Sequence, residues 1–233
     1  MKQLTLNPGI TMNILLVAAT AKEIEPFFEY YRNTKRPQDI DILITGIGLT
    51  ATTYHLLKQI QLKKPGLIIQ AGVAGCFDKK IPLGKVVAVE KETIADQMVI
   101  DPIAIGLKKL KTIFDLELVP LDLFPYTKGW LVNKTTILNE LALKKVTAIS
   151  INEITTSGER IKLYKKNFNP AIESMEGAAL HYVCLMEKCP FIQLRSISNY
   201  IAERDKKKWK MKKAIRNLND ELIKIIESIG NRQ

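Results

Sequence analysis

Apolar positions along this chain follow two rhythms. Short continuous runs at Asn13 to Ala19, Ile40 to Thr45, Gly66 to Gln70, Val146 to Ile154 and Phe191 to Ile197 have the length of strands covered on both faces. Between them, apolar residues recur every three or four positions. Ala21 to Tyr31 carries helical spacing, a second helix opens at Gly46-Ile47-Gly48-Leu49 and ends near Gln59, and a third starts near Met175, with Ala178, Ala179, Tyr182, Val183 and Met186 on one face. Met211, Ile215, Leu218, Leu222, Ile225 and Ile229 make one stripe of a terminal helix. Lys85 to Glu92 and Trp130 to Val132 read as further strands, whereas Pro102, Pro120 and Pro125 break any long element between Asp101 and Lys128. The pattern predicts an α/β fold: one domain over residues 13–233, a mixed central β-sheet flanked by helices, and a polar N-terminal extension over residues 1–12 in which Met12 is an alternative start.

Composition changes this picture little. The 233 residues are 46% hydrophobic and 25% charged, as expected of a globular chain, and no linker or repeat divides them. The net charge of +11 first suggests a polyanionic partner, but Arg204 to Arg216 alone carries +7. That run reads as a solvated face or a lure for an anionic ligand, and no nucleic-acid-binding module accompanies it. Cys76, Cys184 and Cys189 show neither disulfide nor zinc spacing, so a reducing compartment fits and no metal site is signalled. Ile14 to Ala19 is too short to span a membrane, and Lys22, Glu23 and Glu25 follow where a signal cleavage site would lie. A cytoplasmic protein with no membrane partner is expected.

Candidate chemistry gathers at strand ends. In α/β sheets ligands sit outside the carboxyl ends of strands, where loops and helix N-termini offer free donors. Glu23 follows the first strand, as a catalytic carboxylate or as an acid favoured by the helix dipole. Glu176 falls in the first turn of the third helix, and Ser198 and Asn199 lie just past the strand Phe191 to Ile197, facing a ligand or capping a loop. Gly46-Ile47-Gly48 invites a dinucleotide reading, but no acid follows at the spacing the ribose requires. Ala71-Gly-Val-Ala-Gly75 suits a backbone nest or a tight turn. His55 and His181 read as surface or packing histidines.

Taken together, Leu15 to Ile24, Gly46-Ile47-Gly48, Ala71 to Gly75, Ser157-Gly158, Ser174-Met-Glu-Gly-Ala-Ala179 and Arg195-Ser-Ile-Ser-Asn199 resemble the nucleoside phosphorylase and nucleosidase superfamily, most closely its futalosine hydrolase branch. The resemblance implies a phosphorylase/hydrolase-like fold and cleavage of the N-ribosidic bond of a small nucleoside, for that branch futalosine on a route to menaquinone. It implies no metal or organic cofactor, and a homodimer or higher homo-oligomer in which a neighbour completes the pocket. It gives Glu23 the role of activating water, and Met175 and Glu176 that of holding the ribose. Val73, Ala74, Gly75 and Ser198 become substrate-binding positions, Trp209 an aromatic over the ligand, and Ile161 a purine wall. Adenosine-cleaving members carry an aspartate at Asn199. An amide cannot deliver a proton, but its NH₂ offers two donors to a 6-oxopurine, which favours hypoxanthine as leaving group. Val73 and Gln70 stand where bacterial phosphorylases have a phosphate-binding serine and arginine, which favours water as nucleophile. The alternatives are a methylthioadenosine, adenosylhomocysteine or aminodeoxyfutalosine nucleosidase, a purine nucleoside phosphorylase, or a nucleic-acid binder using the basic run.

Overall fold

The computed structural model describes residues 13–34, 39–101, 109–203 and 205–230. The extension at residues 1–12 with Met12, together with Pro102 and Arg204, lies outside the described residues. In chain order the elements are β1 (Ile14–Ala18), a 3₁₀ turn (Ala21–Glu23), α1 (Glu25–Asn33), β2 (Ile40–Ile44), α2 (Leu49–Lys63), β3 (Leu67–Cys76), β4 (Val86–Ile94), β5 (Met98–Asp101), β6 (Lys109–Thr112), β7 (Leu131–Val132), α3 (Thr136–Glu140), β8 (Lys145–Ser150), α4 (Gly158–Phe168), β9 (Ile172–Ser174), α5 (Gly177–Met186), β10 (Phe191–Tyr200), a second 3₁₀ turn (Lys206–Lys208) and α6 (Met211–Gly230).

The mixed sheet flanked by helices is present, and its pairing goes further than patterning could show. β1 lies parallel between β2 and β3, and β3 runs parallel to β10. β10 is antiparallel to β4, β4 and β8 are parallel, β8 and β9 are parallel, and β9 returns antiparallel to β3. That last pairing closes β3, β10, β4, β8 and β9 into a ring. Because successive strand side chains point to opposite faces, Ile14, Leu16 and Ala18 of β1 pack with Phe27 of α1 and Leu218 and Leu222 of α6, while Leu15 and Val17 pack with Leu56 of α2 and Leu180 of α5. Full burial of Leu218 or Leu222 stabilises the fold by about 1.5–3 kcal/mol each. All five ring strands contribute to a third cluster, among them Ala74, Val87, Val146, Ile172 and Ile197.

Several sequence-based boundaries shift, each for a local reason. The first helix does not begin at Ala21: Glu23 folds back to accept from Thr20, closing a 3₁₀ turn, and α1 starts only at Glu25 with Pro26 in its first turn. Helix α2 runs past Gln59 to Lys63 and ends in a left-handed Lys64 just before Pro65. Ala71 to Gly75 is neither nest nor turn, because β10 on one side and β9 at its end keep it extended. The strand expected to reach Ile154 stops at Ser150. Ser198 and Asn199 lie inside β10, at a bulge where the register with β3 shifts between Ile197 and Asn199. Glu176 is the N-cap of α5 rather than part of its first turn. Tyr182 and Met186 are exposed, whereas Leu180, His181 and Cys184 are buried, since α5 is covered by both the sheet and α2.

Candidate active site

A cavity of about 370 Å³ opens beyond the carboxyl ends of β1, β3, β8, β9 and β10. Glu23, Val73, Ala74, Gly75, Met175, Glu176, Ser198, Asn199 and Trp209 all line it, so the fold gathers nearly all the positions singled out in the sequence. Ile161 is not among the lining residues. Helix α4, opened by Ser157, turns Ile161 into a cluster with Phe77, Leu163 and Tyr164, and Ile151 and Ile154 line the cavity instead.

Glu23 is held on three sides. Its Oε2 accepts from the Thr20 backbone N–H at 3.0 Å and the Thr20 hydroxyl at 3.1 Å, and its Oε1 accepts from the Val73 N–H at 3.0 Å. The turn that carries it is pinned from α6, where buried Asn219 accepts from the Phe27 N–H at 3.0 Å and donates to the Glu23 carbonyl at 2.9 Å. Asn219 was not read from the sequence, because an amide inside an apolar stripe looks like an ordinary helix residue until the opposing turn is known.

Glu176 accepts from the Gly48 N–H at 3.2 Å and pairs with the Arg195 guanidinium at 3.4 Å. Arg195 is 1% exposed; its Nη2 also donates to Gln70 at 2.9 Å and its Nη1 to the Val73 carbonyl at 3.4 Å. Glycine at position 72 is required by this contact, for a Cβ there would collide with the guanidinium and lie 3.1 Å from Glu23 Oε1. Arg195 is thus committed to Glu176 and Gln70. Among the described residues lining the cavity, Lys22 is the one cation, set against Glu23, Glu153, Glu173 and Glu176.

Beneath Glu176 runs a buried polar chain. The Ser150 hydroxyl donates to Glu92 at 2.8 Å and accepts the Ala178 N–H at 2.8 Å, tying the first turn of α5 to β4 and β8. Gly177 lets that turn close, since a Cβ there would strike Glu92 and Gln193. Burial pushes the Glu92 carboxyl up to about 7, although Arg195 and Ser150 pull the other way. His181, fully buried, donates from Nδ1 to the Leu131 carbonyl at 2.9 Å, and burial pushes its pKa down to about 4. It is a packing histidine, while His55 is exposed on α2.

At the other end of the cavity the Ser198 hydroxyl donates to Asn199 Oδ1 at 2.7 Å, and the same oxygen lies 3.2 Å from the Ala74 carbonyl. In this orientation the NH₂ is the less engaged arm of the amide, with a long 3.4 Å bond to the Tyr200 carbonyl among the described residues. Trp209 donates from Nε1 to the Glu203 carbonyl at 3.1 Å, and the Lys210 N–H donates to the Ser198 carbonyl at 2.8 Å, so the basic run is fastened to the end of β10. Among the described residues no cluster of three His, Cys, Asp or Glu side chains could hold a metal ion, and no helix is long and apolar enough to cross a membrane.

A ring-closed mixed sheet with carboxylates and an amide around a cavity defines an α/β protein with a composite pocket built from several strand ends. The chain belongs to the Phosphorylase superfamily, whose model matches residues 13–229. It is similar to the 5'-methylthioadenosine/S-adenosylhomocysteine nucleosidase of Glaesserella parasuis, with 24% identity over 81% of this chain and 86% of that protein. It is also similar to the futalosine hydrolase of Thermus thermophilus, with 26% identity over 89% and 90%. Among solved structures, a Helicobacter pylori methylthioadenosine nucleosidase variant with 5'-methylthioadenosine bound has a TM-score of 0.76 at 18% identity, covering 94% of this chain and 100% of that one. The futalosine hydrolase of the same organism scores 0.74 at 18% identity, covering 94% and 98%.

Proposed function

We propose that this protein hydrolyses the N-ribosidic bond of futalosine, releasing hypoxanthine and dehypoxanthine futalosine. Glu176 and Met175 hold the ribose, Glu23 takes a proton from the water that attacks the anomeric carbon, and Asn199 donates to the purine as negative charge builds on it. Charge stabilised mainly as the bond breaks lowers the barrier. The observation that carries the substrate choice is the orientation of Asn199: with Oδ1 engaged by Ser198, the arm left for the base is a donor, which suits the O6 acceptor of a 6-oxopurine. Water as nucleophile is supported by the scarcity of cations: Lys22 is the one cation among the described lining residues and Arg195 is engaged by Glu176, which makes the cavity a poor host for phosphate.

Cleavage of methylthioadenosine or adenosylhomocysteine is the second reading, favoured by the likeness to the Glaesserella nucleosidase. A panel of futalosine, aminodeoxyfutalosine, methylthioadenosine and inosine, with released base measured by chromatography with and without phosphate, separates these readings. Futalosine is expected to be cleaved fastest and without phosphate; strict phosphate dependence or a preference for methylthioadenosine overturns the proposal. The enzyme acts as a cytoplasmic homodimer or higher homo-oligomer in this reading. Burial by a neighbouring copy would suit exposed apolar side chains such as Ile47, which also lines the cavity, and Tyr54 on the same helix-bearing segment. A monomer by sedimentation at micromolar concentration would count against it.

A further inference from the structure

Asn199 leaves the base end of the cavity without a proton to give, and the sheet places a carboxyl group beside it. Strand β9 pairs Glu173 with Gly75, and β10 pairs Asn199 with the same glycine. Residues directly opposite one another across strands project to the same face, so Glu173 and Asn199 flank a position that has no side chain. The point where a Gly75 Cβ would lie is 3.5 Å from Asn199 Nδ2 and 3.5 Å from Glu173 Cγ, with Ile201 packed against it. All three paired residues line the cavity. Glu173 is 6% exposed; its Oε1 accepts from the Thr155 N–H at 3.3 Å, and its Oε2 has no hydrogen-bond partner among the described residues. The groups facing it are Thr155 and Glu153 from the segment after β8 and the Asn199 amide from β10. Burial pushes its pKa up to about 7, bonds from Thr155 lower it, and the charge of Glu153 raises it.

We propose that Glu173 is a catalytic general acid for the departing purine, delivering the proton that Asn199 cannot. The proposal rests on the N-ribosidic reading of the cavity and deepens it. The bond between the anomeric carbon and N9 breaks with its electron pair passing into the purine ring. N7 takes the carboxyl proton of Glu173, so the base leaves neutral. Water adds to the anomeric carbon and gives its proton to Glu23, and exchange with solvent returns a proton to Glu173 and removes one from Glu23.

The test compares wild type, Glu173→Gln and Glu173→Asp on futalosine and on p-nitrophenyl riboside, whose leaving group departs without protonation. Glu173→Gln is expected to lower kcat on futalosine by roughly 10²- to 10⁴-fold while changing p-nitrophenyl riboside cleavage by less than about 3-fold, as loss of a general acid does. Wild-type kcat on futalosine should fall as pH rises through the Glu173 pKa, and Glu173→Gln should lack that limb. Glu173→Asp, which keeps the acid, should recover part of the rate. Equal losses on both substrates, or an alkaline limb that persists in Glu173→Gln, overturn the assignment. If wild type cleaves no nucleoside, the reading of the site falls and takes this assignment with it; if it cleaves futalosine and Glu173→Gln does so equally well, this assignment alone falls.

Discussion

Replacing Arg195 by methionine removes the cation from a buried ion pair and leaves Glu176, whose side chain is 8% exposed, with the Gly48 N–H as its remaining donor among the described residues. Two charges out of water are tolerable only together. Breaking a buried pair from one side costs about 3–5 kcal/mol, because the remaining charge is uncompensated. For a chain of this length each kcal/mol moves Tm by roughly 2–4 °C, so a fall on the order of 6–20 °C is expected. Methionine fills much of the arginine stem volume, which keeps cavity formation a minor part of the loss. The assay is denaturant and thermal unfolding at a fixed protein concentration, since self-association would make Tm concentration-dependent. The decisive control is the Arg195→Met, Glu176→Gln double variant: with no charge left unpaired it should recover much of the stability while remaining inactive. A single-variant loss below about 1 kcal/mol, or a double variant no more stable than Arg195→Met, would refute the claim that the pair is a charge-compensated unit.

Asn219→Leu should cost about 1–3 kcal/mol by stranding the Phe27 N–H and the Glu23 carbonyl, and should lower kcat more than it raises KM because the turn carrying Glu23 loosens; urea unfolding and steady-state kinetics check both. Asn199→Asp should shift selectivity from 6-oxo- toward 6-aminopurine nucleosides, by roughly 5- to 150-fold if one unpaired polar contact costs 1–3 kcal/mol, and an unchanged ratio of kcat/KM values would sink the account of the base end. Glu92 has a folded pKa of about 7 above an ordinary value of 4.5, so its contribution to stability is fully present below pH 4.5 and is lost as pH rises through about 7. Wild type should therefore lose stability relative to Glu92→Gln between pH 5 and 7.5 in denaturant titrations; a gap that is flat across that window contradicts the burial of an ionisable carboxyl there.

Much of the fold was legible in the pattern. The continuous runs at Ile14 and Phe191 and the stripe from Met211 to Ile229 became β1, β10 and α6 because each must bury an apolar face whatever its neighbours are. Strand β9 was not legible. Three residues, two of them polar, carry no periodicity, and β9 exists because β8 and β3 offer it edges. The site divides the same way. Glu23 and Asn199 stood out as polar residues beside strand ends and Glu176 at the start of a helix, whereas Asn219 and Gln70 gain their partners from across the chain. Ile161 was misplaced because the turn before α4 sets its direction, and no local pattern reports that angle.

By itself, then, the sequence determined the α/β class and pointed to the carboxyl ends of the strands, where the structure has a cavity, since periodicity and side-chain chemistry are local properties. Only the tertiary structure decided that β3, β10, β4, β8 and β9 close into a ring, that Arg195 serves Glu176, and that Glu173 faces Asn199 across Gly75. Register and burial arise from pairings between residues far apart in the chain, and those pairings turn an ordinary glutamate into a buried acid.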